Sequence, residues 1–225
     1  MSKMLIGKSQ NTGRDVYLEL PTVMVVTGEP VSGKRFLSRT MMVRKETGRI
    51  IVFTNNPDSF HGLDETIVKI SEEVDMEIKD RVTVFNFSCF YDKDPNHILD
   101  ARMNKLGESI QEDDLVIVND AYPFLIDDVD QKDMVLAIEN AWKKGATVLF
   151  ATTETQALLK KAPEMLSMCE HLFILKQEEK DAIDVAEAFA QERGRYELLR
   201  IYNLLDFGQG LLLSRDGTID FVKVQ

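Results

Sequence analysis

The segment Gly28-Glu29-Pro30-Val31-Ser32-Gly33-Lys34 does most to limit what this chain can fold into. It follows an apolar run, Val23-Met24-Val25-Val26, and opens a stretch of helical spacing from about Gly33 to Thr47 that stops near Gly48. Two glycines at this spacing let backbone N–H groups turn inward around an anion. The start of a helix adds partial positive charge, and a lysine placed like Lys34 reaches the outer phosphates. Strand, loop and helix in that order are the context a phosphate-binding loop requires, and the competing explanation is a chance glycine turn. Pro30 removes one backbone donor from the loop. The expected ligand is ATP, held by Gly28, Glu29, Pro30, Val31, Ser32, Gly33, Lys34 and Arg35.

The rest of the chain alternates short apolar runs with amphipathic stretches. Strands are expected at Thr22 to Thr27, Ile50 to Thr54, Val82 to Phe87, Leu115 to Val118, Ala146 to Ala151 and His171 to Leu175. Helices are expected at Ile98 to Ile110, around Met134, Ala137, Ile138 and Ala141, from Glu154 to Ser167, and from Glu179 to Glu192. The pattern predicts an α/β fold of the P-loop NTPase type (RecA/ASCE-like), with a mainly parallel sheet covered by helices on both faces. The alternating stretch Asp15 to Leu20 and a tail that turns at Asp216-Gly217 add β-hairpins at the two ends. Without a repeat or linker, residues 1–225 read as one ATPase-like domain.

The positions that normally handle Mg²⁺ are altered. The residue after the loop lysine should carry a hydroxyl that ligates the ion, but here it is Arg35, which has no acceptor. Its charge could instead meet phosphate directly. The strand Leu115-Val116-Ile117-Val118 ends in Asn119-Asp120. The first of these positions normally holds an aspartate that anchors the metal, and Asn119 keeps the shape without the charge. The second normally holds a glutamate that orients the attacking water. Asp120 keeps the charge on a shorter arm and is the candidate catalytic base. Thr152 and Thr153 end the neighbouring strand. Thr152 is the second catalytic candidate, as a γ-phosphate sensor, while helix capping at Thr153 weighs equally.

Composition excludes several classes. No apolar run approaches the ~20 residues of a membrane span, and the N-terminal apolar stretch is too short for a signal peptide, so a cytoplasmic protein is expected. Cys89 and Cys169 lie far apart, His61, His97 and His171 form no cluster, and no metal-site spacing occurs. A formal charge of −11 argues against a surface that coats nucleic acid, but it is compatible with basic residues lining the pore of a ring.

The order of these pieces resembles the FtsK/HerA superfamily of ring-forming P-loop ATPases, above all the ATPase domain of the traffic ATPases of conjugative type IV secretion. Ile6-Gly7-Lys8 to Leu20 resembles their lead-in β segment. Asn119-Asp120-Ala121-Tyr122 resembles their Asp-Glu-Ala-Trp/Tyr segment. Trp142-Lys143-Lys144-Gly145 through Thr153 resembles the basic-Gly-strand-Ala-Thr-Gln segment, and Gly208-Gln209-Gly210-Leu211-Leu212 resembles their last glycine-rich turn. The resemblance implies a nucleotide-binding subunit of a DNA- or protein-translocating machine, assembled as a homo-oligomer or within a larger ring, with DNA as a candidate partner. Small viral genome-packaging ATPases of the same superfamily have comparable length. The departures at Arg35, Asn119 and Asp120 imply weakened hydrolysis or an inactive assembly or regulatory subunit. Lys143 and Lys144 stand where an arginine finger would be expected. A third possibility, a small-molecule kinase, has a weak lid candidate in Gln191-Glu192-Arg193-Gly194-Arg195.

Overall fold

The computed structural model describes residues 2–69, 77–78, 80–86, 88, 107–119, 132–190 and 205–225. Within them the chain forms β1 (Ser2–Ser9), β2 (Asp15–Leu20), β3 (Val23–Thr27), α1 (Lys34–Arg44), β4 (Ile50–Thr54), β5 (Glu65–Lys69), β6 (Val82–Asn86) and β7 (Leu115–Asn119). These are followed by α2 (Lys132–Lys143), β8 (Thr147–Thr152), α3 (Thr155–Lys161), α4 (Pro163–Met168), β9 (His171–Leu175), α5 (Glu179–Ala190), β10 (Gln209–Ser214) and β11 (Ile219–Val224). A single 3₁₀ turn, Pro57–Phe60, follows β4.

The strands form one eleven-stranded sheet in the order β2-β1-β11-β10-β9-β3-β8-β7-β4-β6-β5. From β9 to β5 every pairing is parallel, and from β9 to β2 every pairing is antiparallel. The hairpins expected at the two ends therefore join each other through β1 and β11 and extend one side of the parallel sheet. β3, β4, β7 and β8 are buried along their whole length, as strands covered on both faces must be. β2 alternates exposed and buried, which marks an edge strand with one wet face.

Side-chain alternation divides the core in two. Val23, Val25, Phe53, Val118 and Phe150 pack on one face with the buried positions of α2 to α5. Met24, Val26, Val52, Ile117 and Leu149 pack on the other with Leu37 and Met41 of α1. Of the apolar positions expected on two helical faces, Ala137, Ile138 and Ala141 on α2 and Ala182, Val185 and Phe189 on α5 are buried, Ala186 is half-buried, and the Met134 side chain lies outside the description.

The expected helix from Glu154 to Ser167 is two helices. Pro163 has no N–H to continue the first and a backbone angle suited to starting the second, so the chain breaks at Ala162. β5 was not expected. Of the helix expected at Ile98 to Ile110, only the end, residues 107–110, falls among the described residues, and 107–109 are helical. Cys89, His97, Asp120 and the Gln191 to Arg195 segment lie outside them. Cys169 is the buried thiol expected, and burial pushes its pKa up to about 12. His171 is half-buried against Ser214 Oγ at 2.9 Å, a structural contact between β9 and β10.

Candidate functional site

The C-terminal ends of β3, β8, β7 and β4 lie side by side, and the loop 28–33 leaves the first of them. Glu29, Pro30, Val31 and Ser32 make a turn closed by the Ser32 N–H donating to Glu29 O at 3.2 Å. Proline at the second position and a positive φ of 65° at Val31 are the marks of a type II turn. Holding a β-branched residue there costs about 1–2 kcal/mol. Val31 is 86% exposed, so packing does not explain the placement. Strain of this kind collects at functional sites.

The loop is also tightly closed. A Cβ on Gly28 would lie 2.6 Å from Ser32 Oγ and 2.8 Å from Leu175 Cβ. Gly33 has φ 114° and ψ 6° and precedes α1, which starts with no side-chain cap and no acidic residue in its first turn. The positive end of α1 is therefore not neutralised by a cap or by an acidic residue of its own first turn. Lys34 is buried, and its Nζ donates to Gly28 O at 2.5 Å and Glu29 O at 2.6 Å, with Ser32 Oγ at 3.5 Å. The ammonium thus sits inside the curve of its own loop.

Beneath the loop lies a band of neutral polar side chains. Thr27 and Thr152 pair across β3 and β8, and both are fully buried. Gln177 Nε2 donates to Thr27 Oγ1 at 3.1 Å, and its Oε1 accepts from Thr155 Oγ1 at 2.8 Å. Sequence reasoning missed Gln177, because nothing local connects it to a strand 150 residues earlier. Asn119 is 2% exposed. Its Oδ1 accepts from Ser38 Oγ and its Nδ2 donates to Thr54 Oγ1, both at 3.5 Å. Thr152 Oγ1 accepts the Glu154 N–H at 2.9 Å, so Thr152 rather than Thr153 supplies the turn contact before α3. That oxygen still has its own proton to donate.

Other polar and charged side chains are engaged elsewhere. Gln156 donates to Asp181 and Asp184 at 2.7 and 2.9 Å, which joins α3 to α5. Lys144 donates to the carbonyls of Gly107 and Glu108 at 2.8 Å, while Lys143 pairs with Glu139 at 2.6 Å. Arg35 is exposed on the first turn of α1.

No protein-family model matches the chain, and no curated protein matches its sequence. Solved structures do. VirB4 of Thermoanaerobacter pseudethanolicus aligns over 100% of this chain and 96% of its own, with TM-score 0.78 and 11% identity. The genome packaging NTPase B204 from Sulfolobus turreted icosahedral virus 2, in complex with AMP, aligns over 92% of this chain and 100% of its own, with TM-score 0.64 and 14% identity. The cytoplasmic domain of the Thermomonospora curvata type VII secretion ATPase EccC aligns over 99% of this chain but 26% of its own, with TM-score 0.66 and 12% identity.

The chain has the P-loop NTPase fold of these structures.

A P-loop ATPase fold implies a Mg²⁺ ion beside the nucleotide, and the described residues do not fit one. Arg35 offers only donors where a hydroxyl ligand belongs. Asn119 is neutral and already engaged by Ser38 and Thr54. Among the described residues no group of three His, Cys, Asp or Glu side chains could hold a metal ion. No helix among them is long and apolar enough to cross a membrane.

The loop that leaves β4 carries a titrating contact. Arg39 of α1 donates to Ser59 O at 2.7 Å and so ties this loop to the P-loop helix. Beside it, His61 Nδ1 lies 2.6 Å from Glu65 Oε1 and Nε2 lies 3.1 Å from Asp58 Oδ1. The bond to Glu65 first, and then that to Asp58, raises the His61 pKa above 6.5. The bond from His61 leads in lowering Glu65 from 4.5 to about 2. A raised histidine stabilises the fold below 6.5 and loses that contribution as pH rises through its folded value. A lowered glutamate contributes above 4.5 and loses it as pH falls towards 2. The pair is therefore strongest between these limits. An NMR titration should place His61 above 6.5, and Glu65→Gln should move it down. An unchanged midpoint in the variant would show that the contact does not form in solution.

Proposed function

We propose that this chain is a nucleotide-binding, ATPase-like subunit of a DNA- or protein-translocating machine, working in the cytoplasm as one unit of a ring. Gly28 to Arg35 would hold the phosphates of ATP, and Thr152 would sense the terminal phosphate. Asp120, outside the described residues, would remain the one base for water. Hydrolysis would be weak. The observation that carries this is the contrast between a closed, strained glycine loop with a centred lysine and a neutral Ser38-Asn119-Thr54 cluster where a metal-anchoring carboxylate would be expected. The similar structures support the rest. One is a VirB4, one a type VII secretion ATPase, and one a packaging NTPase seen with AMP and with ATP-gammaS.

The same cluster favours a second reading. Asn119 contacts Ser38 and Thr54 as a neutral side chain, and Ser38 Oγ donates at shorter range to Lys34 O at 3.1 Å, an arrangement without a cation that suits an inactive subunit serving assembly or regulation. Restoration separates the two. Arg35→Ser with Asn119→Asp and Asp120→Glu puts a hydroxyl and one carboxylate back and lengthens the arm of the carboxylate already at 120. The new carboxylate at 119 would be buried beside two hydroxyls, so the variant should be less stable than the wild type without Mg²⁺ and should regain stability when Mg²⁺ and ATP are added together. It should also show Mg²⁺-dependent ATPase activity above the wild type. Robust Mg²⁺-dependent turnover by the unmodified chain would overturn weak hydrolysis and return it to the active motors.

A further inference from the structure

We propose that Phe36 and Phe207 form the platform on which the base of a nucleoside triphosphate stacks while its phosphates rest on residues 28–34. The inference rests on the nucleotide reading above and assigns its base subsite.

The large aromatic side chains of the core are hidden: Phe53, Phe60, Phe85, Phe150, Phe173 and Phe189 are all fully buried. Phe36 is 39% exposed and Phe207 59% exposed. They are neighbours, with ring centroids 6.0 Å apart and planes tilted by 42°. That separation lies within the range of a favourable aromatic pair. Their sequence positions do not predict this. The pair exists because the segment before β10 is bonded to the phosphate loop: the Gly208 N–H donates to Ser32 O at 3.0 Å, and Gly208 O accepts from the Val224 N–H at 2.9 Å. Gly33 and Gly208 approach so closely that a Cβ on Gly33 would lie 2.8 Å from Gly208 N and Cα.

These contacts fix the exposed rings relative to the phosphate site. Phe36 follows Lys34 by two residues of helix, an axial advance of about 3 Å. A nucleotide whose phosphates meet Lys34 must send its base away from the loop, and a wet aromatic surface lies within that reach. Every base has a flat π-face, so a phenyl platform holds bases by stacking and reads few of their edge groups. ATP and GTP are accordingly expected to bind comparably.

The test compares two probes on the full chain by titration calorimetry, ATP and inorganic tripolyphosphate. Phe207→Ala should weaken ATP about tenfold, about 1.4 kcal/mol, and leave tripolyphosphate unchanged. Phe207→Tyr keeps the ring and should restore ATP affinity, while Phe207→Leu should restore it only in part. Phe207 is exposed, so truncation leaves the buried core intact, and circular dichroism would check this. Equal ATP affinity in wild type and Phe207→Ala overturns the platform, as does an equal loss for both probes. A changed sedimentation coefficient with unchanged ATP affinity would assign the rings to a protein contact and also overturn it. If tripolyphosphate binds but ATP binds no better, the phosphate site stands and the platform fails. If neither probe binds, the nucleotide reading itself has failed and the platform with it.

Discussion

Gly33→Ala is expected to lower the stability of the fold by about 3 kcal/mol and to abolish tight nucleotide binding. Two costs add. At φ 114° an L side chain is strained, which costs about 1–2 kcal/mol. The new Cβ would also lie 2.8 Å from Gly208 N and Cα, and these are backbone atoms that cannot swing aside. Either the loop or the Gly208 segment must move, at about 1–3 kcal/mol. Both movements break the bond between the Gly208 N–H and Ser32 O. Gly13 provides the control: its φ is 69°, and nothing lies within 4 Å of its added Cβ. Gly13→Ala should therefore show only the backbone cost. Urea unfolding of the two variants separates the terms, and equal losses would mean that the approach of Gly208 carries no energetic weight.

The second large effect is at Lys34. Lys34→Ala should weaken ATP or ADP binding at least tenfold, about 1.4 kcal/mol. In the proposed role the ammonium would supply the charge that meets phosphate, and here it bridges two carbonyls of its own loop, at 2.5 and 2.6 Å. Alanine removes the ammonium from both carbonyls and leaves Glu29 O with the Ser32 N–H, so the loop should lose shape as well as charge. Lys34→Met keeps most of the apolar stem and should lose affinity to a similar degree if charge dominates. Unchanged affinity in both variants would show that the loop is not the nucleotide site.

Much of the fold was legible because the signals are local. A buried parallel strand reads as an apolar run, and β3, β4, β7 and β8 were found this way. The Asp216-Gly217 turn was found from its residue types, and Ser214 O accepts the Gly217 N–H at 3.0 Å. The missed strand β5 lies at the sheet edge, and its charged ends, Glu65 and Lys69, leave too short an apolar run to stand out from a polar loop. The break at Ala162 was available from Pro163, but the continuing apolar periodicity masked it.

The sequence by itself determined the glycine loop 28–33, the strand and helix that flank it, the end hairpins, and the neutral side chain at Asn119. Each depends on residues within a few positions of one another. Only the tertiary structure decided that β8 lies between β3 and β7, so that Thr152 sits beside Thr27 and one strand from Asn119. It likewise decided that Asn119 meets Ser38 and Thr54, that Gln177 reaches Thr27, and that Phe207 joins Phe36. The physical reason is that parallel strands are joined by long crossovers, so strand order and the side chains meeting at strand ends are set by packing between distant segments. Spacing along the chain does not record those distances.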